Sequence, residues 1–140
     1  MPNPAPRPMT LFDAGARAMS AQLVRMNAAA SNLANAGTVA ATPQGAYRAI
    51  RPVFATVLDS ATGIASVKVQ GVYQSGAAPV RTHDPDNPLA DGNGDVWGSG
   101  VDENAEMLEI TDSARQYQNV VEAMQTAKQL TLDTLRMKTP

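Results

Sequence analysis

The stretch VDENAEMLEITDSARQYQNVVEAMQTAKQLTLDTLRMKT, residues 101–139, contains neither Gly nor Pro. Those two residue types are the ones that break helices, so their absence over this length predicts one long helix from about Glu103 to Met137. Its apolar stripe is Met107, Ile110, Ala114, Tyr117, Val121 and Met124. It then drifts through Ala127, Leu130 and Met137, as a 3.6-residue helix does against a seven-residue repeat. Asp102, Glu103, Glu106, Glu109 and Asp112 crowd the start, and Arg136 and Lys138 close the end. Both placements suit the helix dipole. At ~1.5 Å per residue the helix is roughly 50 Å long, more than a compact domain of this size needs.

Working outward, Met9 to Thr42 holds only Gly15 and Gly37. A second helix is predicted there, with Thr10 as its N-cap after a frayed Pro-rich lead. It runs to about Asn35 with Gly37 as its stop. Its seam reads Phe12, Gly15, Met19, Gln22, Met26, Ala29 and Leu33, in steps of three and four, the spacing of a coiled coil. Between the helices lie eight of the ten Gly and five of the ten Pro. Tyr47 to Leu58 and Val67 to Tyr73 read as strands around a turn at Asp59 to Gly63. His83 to Gly100 reads as a long loop. The expected fold is mainly α with a small β insert, the terminal helices paired side by side and the insert at one end. The expected division is 1–37, 38–101 and 102–140.

Apolar residues make up 44% of the 140 residues and aromatics only 4%, so the core must rest on Ala, Val, Leu and Met. The formal net charge is −2, which gives no global pull toward nucleic acid or an anionic membrane. The lack of Cys excludes disulfides and thiolate chemistry. No apolar run approaches the ~20 residues of a membrane helix, and the N-terminus lacks the apolar core of a secretory signal. One pair of long amphipathic helices leaves much apolar surface uncovered, and such a surface normally finds other chains.

Ser31-Asn32-Leu33-Ala34-Asn35-Ala36, late in the first helix, resembles the signature of the flagellar rod and hook protein family. The run Asp84-Pro85-Asp86-Asn87-Pro88-Leu89-Ala90-Asp91, followed by Gly94 and Val96, is similar to the proximal-rod members of that family. So are Val101 to Met107 and Ser113 to Val120. Gly98-Ser99-Gly100 departs from the usual pattern, which carries a Pro-Asn pair there. The resemblance implies a structural subunit of the proximal rod of the flagellar basal body. Its terminal helices would line a tube that transmits torque and conducts exported subunits. Its partners would be other copies of itself, other proximal and distal rod proteins, membrane-ring adaptor proteins and the type III export apparatus. It would leave the cytoplasm without a cleaved signal peptide. Neither nucleic acid nor direct membrane insertion is expected.

The expected interface residues are Phe12, Met19, Gln22, Met26, Asn32, Leu33 and Asn35 on the first helix. Met107, Ile110, Tyr117, Val121 and Met124 join them from the second helix, and Asn87, Pro88 and Leu89 from the loop. Asn32, Asn35 and Gln22 are expected to hydrogen-bond either neighbouring subunits or the paired helix, because an Asn within a seam is stable only when it is partnered. The nine acidic residues from Thr82 to Ala114 stand without a basic one, whereas the first 58 residues carry five Arg against Asp13 alone. That asymmetry can steer head-to-tail contacts, or can be no more than a solvated acidic loop and a favourable helix start. No catalytic, cofactor or metal site is expected. His83 is a lone loop His with no nucleophile motif beside it. Asp91, Asn93 and Asp95 resemble a calcium loop, but Val96 stands where such a loop needs Gly. The alternative reading is a secreted, non-enzymatic calcium- or peptide-binding module with an intramolecular helical hairpin.

Overall fold

The computed structural model describes residues 7–138, so most of the Pro-rich lead lies outside the described residues. Helix α1 spans Leu11–Asn35. It starts with a reciprocal capping box: the Thr10 hydroxyl accepts from Asp13 N at 3.1 Å, and Thr10 N donates to the Asp13 carboxylate at 2.9 Å. It does not end on a left-handed Gly37, because the described non-helical glycines with positive φ are Gly63, Gly94 and Gly100. Thr38 closes it instead, its N–H and hydroxyl both donating to Asn35 O at 3.1 and 2.7 Å.

After the two-residue strand β1 (Val39–Ala40) come β2 (Ile50–Leu58) and β3 (Ala65–Gln74), an antiparallel hairpin. Val53 pairs with Gly71 and Phe54 with Val69, which leaves Gln70 as the extra residue of a bulge. The hairpin does not sit at one end of the helices as expected. Ile50 lies at Asn32, Ser66 receives a hydrogen bond from Arg17 at 3.1 Å, and Asp59 in the turn accepts from Met9 N at 2.9 Å. Nine strand residues at ~3.3 Å reach roughly 30 Å. Residues 11–32 of α1 at ~1.5 Å reach roughly 32 Å, with Met9 just before them. The matched lengths let the hairpin lie along nearly all of α1.

The expected loop from His83 to Gly100 instead contains strand β5 (Asp95–Gly98). It pairs antiparallel with β1 on one side and with β4 (Val80–His83) on the other. Asp, Asn and Gly around β5 hid a short strand whose Val96 is almost wholly buried. The unusual Gly98-Ser99-Gly100 segment serves this junction. A Cβ on Gly100, whose φ is +65°, would stand 2.6 Å from Ala78 O. The buried Ser99 hydroxyl donates to Ala36 O at 2.7 Å, fastening the sheet to the end of α1.

Helix α2 spans Glu103–Lys138 and runs antiparallel to α1: Glu106 meets Asn32, Glu109 and Asp112 meet Arg25, and Met124 meets Gly15. Asp102 caps its start, accepting from Asn104 N and Ala105 N. Its inward face follows Glu106, Ile110, Ser113, Tyr117, Val120, Met124 and Ala127. The expected stripe began one residue late, on Met107, which is 57% exposed. The buried hydrophobic residues are mostly Ala21, Ala28, Ala29, Ala46 and Ala49, so the elements approach closely. Alpha2 extends about eleven residues beyond the start of α1, a difference of roughly 16 Å at ~1.5 Å per residue.

A Cβ on Gly15 would fall 2.1 Å from Met124 Sδ. Gly15→Val should therefore destabilise the chain by about 1–3 kcal/mol through overpacking. Adding Met124→Ala should recover part of that loss. Denaturant midpoints of the single and double variants check both outcomes, and an unchanged midpoint for Gly15→Val would mean that the helices do not meet there.

Candidate assembly surface and the clasp beneath it

Asn32 sits on the last full turn of α1 and is completely buried. Each of its side-chain atoms is used. Its Nδ2 donates to Ile50 O at 3.0 Å and to Glu106 Oε2 at 3.1 Å. Its Oδ1 accepts from Ile50 N at 2.7 Å and from the Tyr47 hydroxyl at 3.0 Å. One amide thus pins α1, the first residue of β2 and α2 together. Glu106 is 1% exposed. Arg51 grips it with both terminal nitrogens, Nη1 to Oε2 at 2.8 Å and Nη2 to Oε1. Burial alone works against the Glu106 charge. The Arg51 guanidinium and the Asn32 amide outweigh burial, and the carboxyl is held below its ordinary value. The bond to Glu106 in turn raises Arg51, which keeps one edge in water.

A second ion set lies one to two turns along the same seam. Arg25 Nε bonds Glu109 at 2.8 Å, its Nη2 bonds Asp112 at 3.1 Å, and its Nη1 donates to Gln22 Oε1 at 2.9 Å. Gln22 therefore serves to orient Arg25 within its own helix. Asn35, the other motif amide, donates to Ser31 O at 2.8 Å and braces the helix end. Of the three amides expected to bond either neighbouring subunits or the paired helix, Asn32 alone bonds the paired helix directly. Sequence reasoning passed over Glu106 as a dipole residue and gave Arg51 no role. The signal was available: a seam with three- and four-residue steps passes through Glu106, and a single Arg in an apolar strand needs a partner.

The run from Asp84 to Gly94 is a tightly braced connection between β4 and β5. Asn87 N donates to Asp84 O, Ala90 N to Asn87 O, and Leu89 N to Asn87 Oδ1 at 3.0 Å. Asn87 is half-buried in this turn, whereas Pro88 and Leu89 face outward. Asp91 accepts from Asn93 N and Asp95 N, and those backbone donors hold its carboxyl low. The buried Asp95 is taken by Arg81 at 3.1 Å and His83 at 3.0 Å. The carboxylates that resembled a calcium loop are thus engaged within the chain. Among the described residues no group of three or more His, Cys, Asp or Glu could hold a metal ion. No described helix is long and apolar enough to cross a membrane.

The remaining interface candidates divide by exposure. Met19, Met26, Leu33, Ile110, Tyr117, Val121 and Met124 are half-buried along the helix pair. Phe12, Leu23, Met107 and Leu108 are exposed on its outer faces. Where α2 outruns α1, Leu130 is 62% and Met137 82% exposed.

Residues 12–42 match the family described as Flagella basal body rod protein, and residues 93–137 match the one described as Flagellar basal body rod FlgEFG protein C-terminal. The chain is 40% identical over 131 residues to the flagellar basal-body rod protein FlgC of Salmonella typhimurium, covering 92% of this chain and 96% of that protein. It is 38% identical over 129 residues to the FlgC of Escherichia coli, with the same coverage of each chain. With the FlgC of Agrobacterium fabrum it shares 30% identity over 119 residues, 84% of this chain and 85% of that one. The chain belongs to the flagellar basal-body rod protein family. It is a structural rod subunit, and its relatives in this comparison carry the name FlgC.

Glu106→Gln should leave Arg51 without its charge partner. Breaking a buried pair costs about 3–5 kcal/mol, and the watered edge of Arg51 brings the expected loss to about 2–3. The pH dependence has a definite sign. A carboxyl held low in the folded state stabilises fully above the ordinary value of 4.5 and loses that contribution as pH falls through its lower, folded value. Denaturant unfolding between pH 6 and 3 should therefore show a flatter acid limb for Glu106→Gln than for the parent chain. Ser113 is fully buried beside this seam with its hydroxyl unpartnered. Ser113→Ala should stabilise the chain, by up to about 1 kcal/mol, because an unsatisfied buried hydroxyl is costly. A lower midpoint for that variant would show that the hydroxyl is bonded in solution.

Proposed function

We propose that this chain is a subunit of the proximal rod, one that polymerises through its terminal helices into a tubular drive shaft. The observation that carries this reading is the uncovered apolar surface of a helix pair in a chain of this family. The 36-residue α2 outruns its 25-residue partner and leaves Leu130, Leu132 and Met137 facing outward. Surface of that kind normally marks a site that other subunits cover. Residues 1–37 and 102–140 form the inner, tube-lining region, and 38–101 lies outside it. Phe12, Met107 and the α2 overhang make the principal helix contacts. The outer edges of Met19, Met26, Leu33, Ile110, Tyr117, Val121 and Met124 contribute to packing against neighbours, and Asn87, Pro88 and Leu89 form a second contact away from the helices.

Asn32, Gln22 and Asn35 act beneath the surface, holding the shape that neighbours meet. The tube formed in this way transmits torque and conducts later export substrates. Its other partners are further proximal and distal rod proteins, the membrane-ring adaptor and the type III export apparatus. The chemistry is mechanical, and none of the engaged carboxylates or the lone His83 is asked to react.

Purified hook–basal bodies from the source bacterium should contain this chain in stoichiometric amounts by mass spectrometry. Leu130→Asp with Met137→Asp changes exposed positions, so the folding midpoint should stay within about 0.5 kcal/mol of the parent. Motility and incorporation into basal bodies should nevertheless be lost. Normal swimming by that double variant would remove the overhang from the assembly surface.

A further inference from the structure

Alongside the N-terminal half of α1 a groove of about 540 Å³ opens against the hairpin, lined by Arg17, Ser20, Val57, Val67, Lys68 and Val69. Its floor is three half-buried valines and its rim carries two cations and no acid. Nothing among the described residues of the chain fills it. The braced turn from Asp84 to Asp91 has the opposite character. It presents Pro88 and the 44% exposed Leu89, with Asp84, Asp86 and Asp91 close to them in sequence. No Lys or Arg occurs from Thr82 to Ala114.

We propose that the groove receives the Asp84–Asp91 turn of a second copy of this chain, Leu89 seating on the valines while Asp86 meets Arg17 and Lys68. This specifies one contact of the assembly proposed above and rests on that reading. Three observations favour the turn of a second copy as occupant. Its charge is complementary to the rim, which steers encounter and fixes register. Its shape is set before binding, because Asn87 and Asp84 already hold the turn through side-chain and backbone bonds, so little ordering entropy is lost. It also cannot reach the groove of its own chain. The turn belongs to the sheet fastened at Ala36, and Ser20 lies sixteen helix residues away, roughly 24 Å at ~1.5 Å per residue. Turn and groove are built from different residues, so the contact is heterologous. Repetition of a heterologous contact that does not close gives a helical array, whereas a two-fold pair would stop at a dimer.

The absence of Cys makes this contact directly readable. A full-length chain carrying Ser20→Cys and Leu89→Cys is expressed in the motile bacterium, and isolated basal bodies are treated with a short bis-maleimide. A ladder of dimer, trimer and higher multimers of this chain is expected from the double variant, and none beyond a dimer from either single variant. Adding Lys68→Glu should lower the ladder yield several-fold, and adding Asp86→Lys to that chain should restore it. If the variants assemble but the Leu89→Cys position is captured by a chain of different mass, or no ladder forms, the second-copy contact is overturned while the rod reading stands. If the unmodified chain is absent from basal bodies altogether, both fall.

Discussion

A carboxylate and an amide held out of water, Glu106 and Asn32, set the geometry on which the rest of the molecule depends. Either would be costly to bury alone, since a lone charge or an unpaired amide loses its solvation without replacement. Together with Arg51 and the Ile50 backbone they satisfy one another, and in doing so they join α1, α2 and the hairpin at one point. A purely apolar contact at this place could slide by a turn at little cost. A network in which each donor has one acceptor cannot, so the clasp fixes register as well as contact. Asn32 is the first Asn of the family-like Asn-Leu-Ala-Asn run, and its burial gives that run a physical meaning within a single chain.

From that fixed point the rest of the packing follows from size. Alanines at 21, 28 and 29, Gly15 and Ser113 let the helices approach closely, and the hairpin lies along α1 because their lengths match. Close packing of small side chains buries little apolar area per residue, so the chain remains modestly covered on its outer faces. Leu11, Phe12, Leu108, Leu130 and Met137 stay in water. The same economy that makes the pair of helices thin leaves the surface that a rod subunit needs for its neighbours.

The two helices, the cap at Thr10, the hairpin and the family were legible in the sequence, because each is signalled locally by Gly and Pro placement, by periodicity or by a contiguous motif. What escaped is long-range or contrary to pattern. Glu106 lies on the inward face but is charged, so an apolar stripe drawn through Met107 ran beside the true seam. Strand β5 is four residues long and flanked by turn-forming residues, so its pairing with β1 and β4 is visible only in space. The hairpin's course along α1 depends on Asp59 reaching Met9 and Arg17 reaching Ser66, contacts about fifty residues apart that no local rule encodes. Gly98-Ser99-Gly100 stood out as a departure. It proves to be the close-packed joint between the second sheet and α1.

Residue-resolved amide hydrogen exchange of the intact chain tests the clasp most directly. Ile50 N–H donates to the buried Asn32 side chain at 2.7 Å. If that bond organises the fold, the Ile50 amide exchanges only through global opening, among the slowest in the molecule, and Asn32→Ala speeds it by orders of magnitude. If Ile50 exchanges as fast as the amides of exposed loops in the parent chain, Asn32 does not hold the three elements together and the register of the helix pair must have another cause.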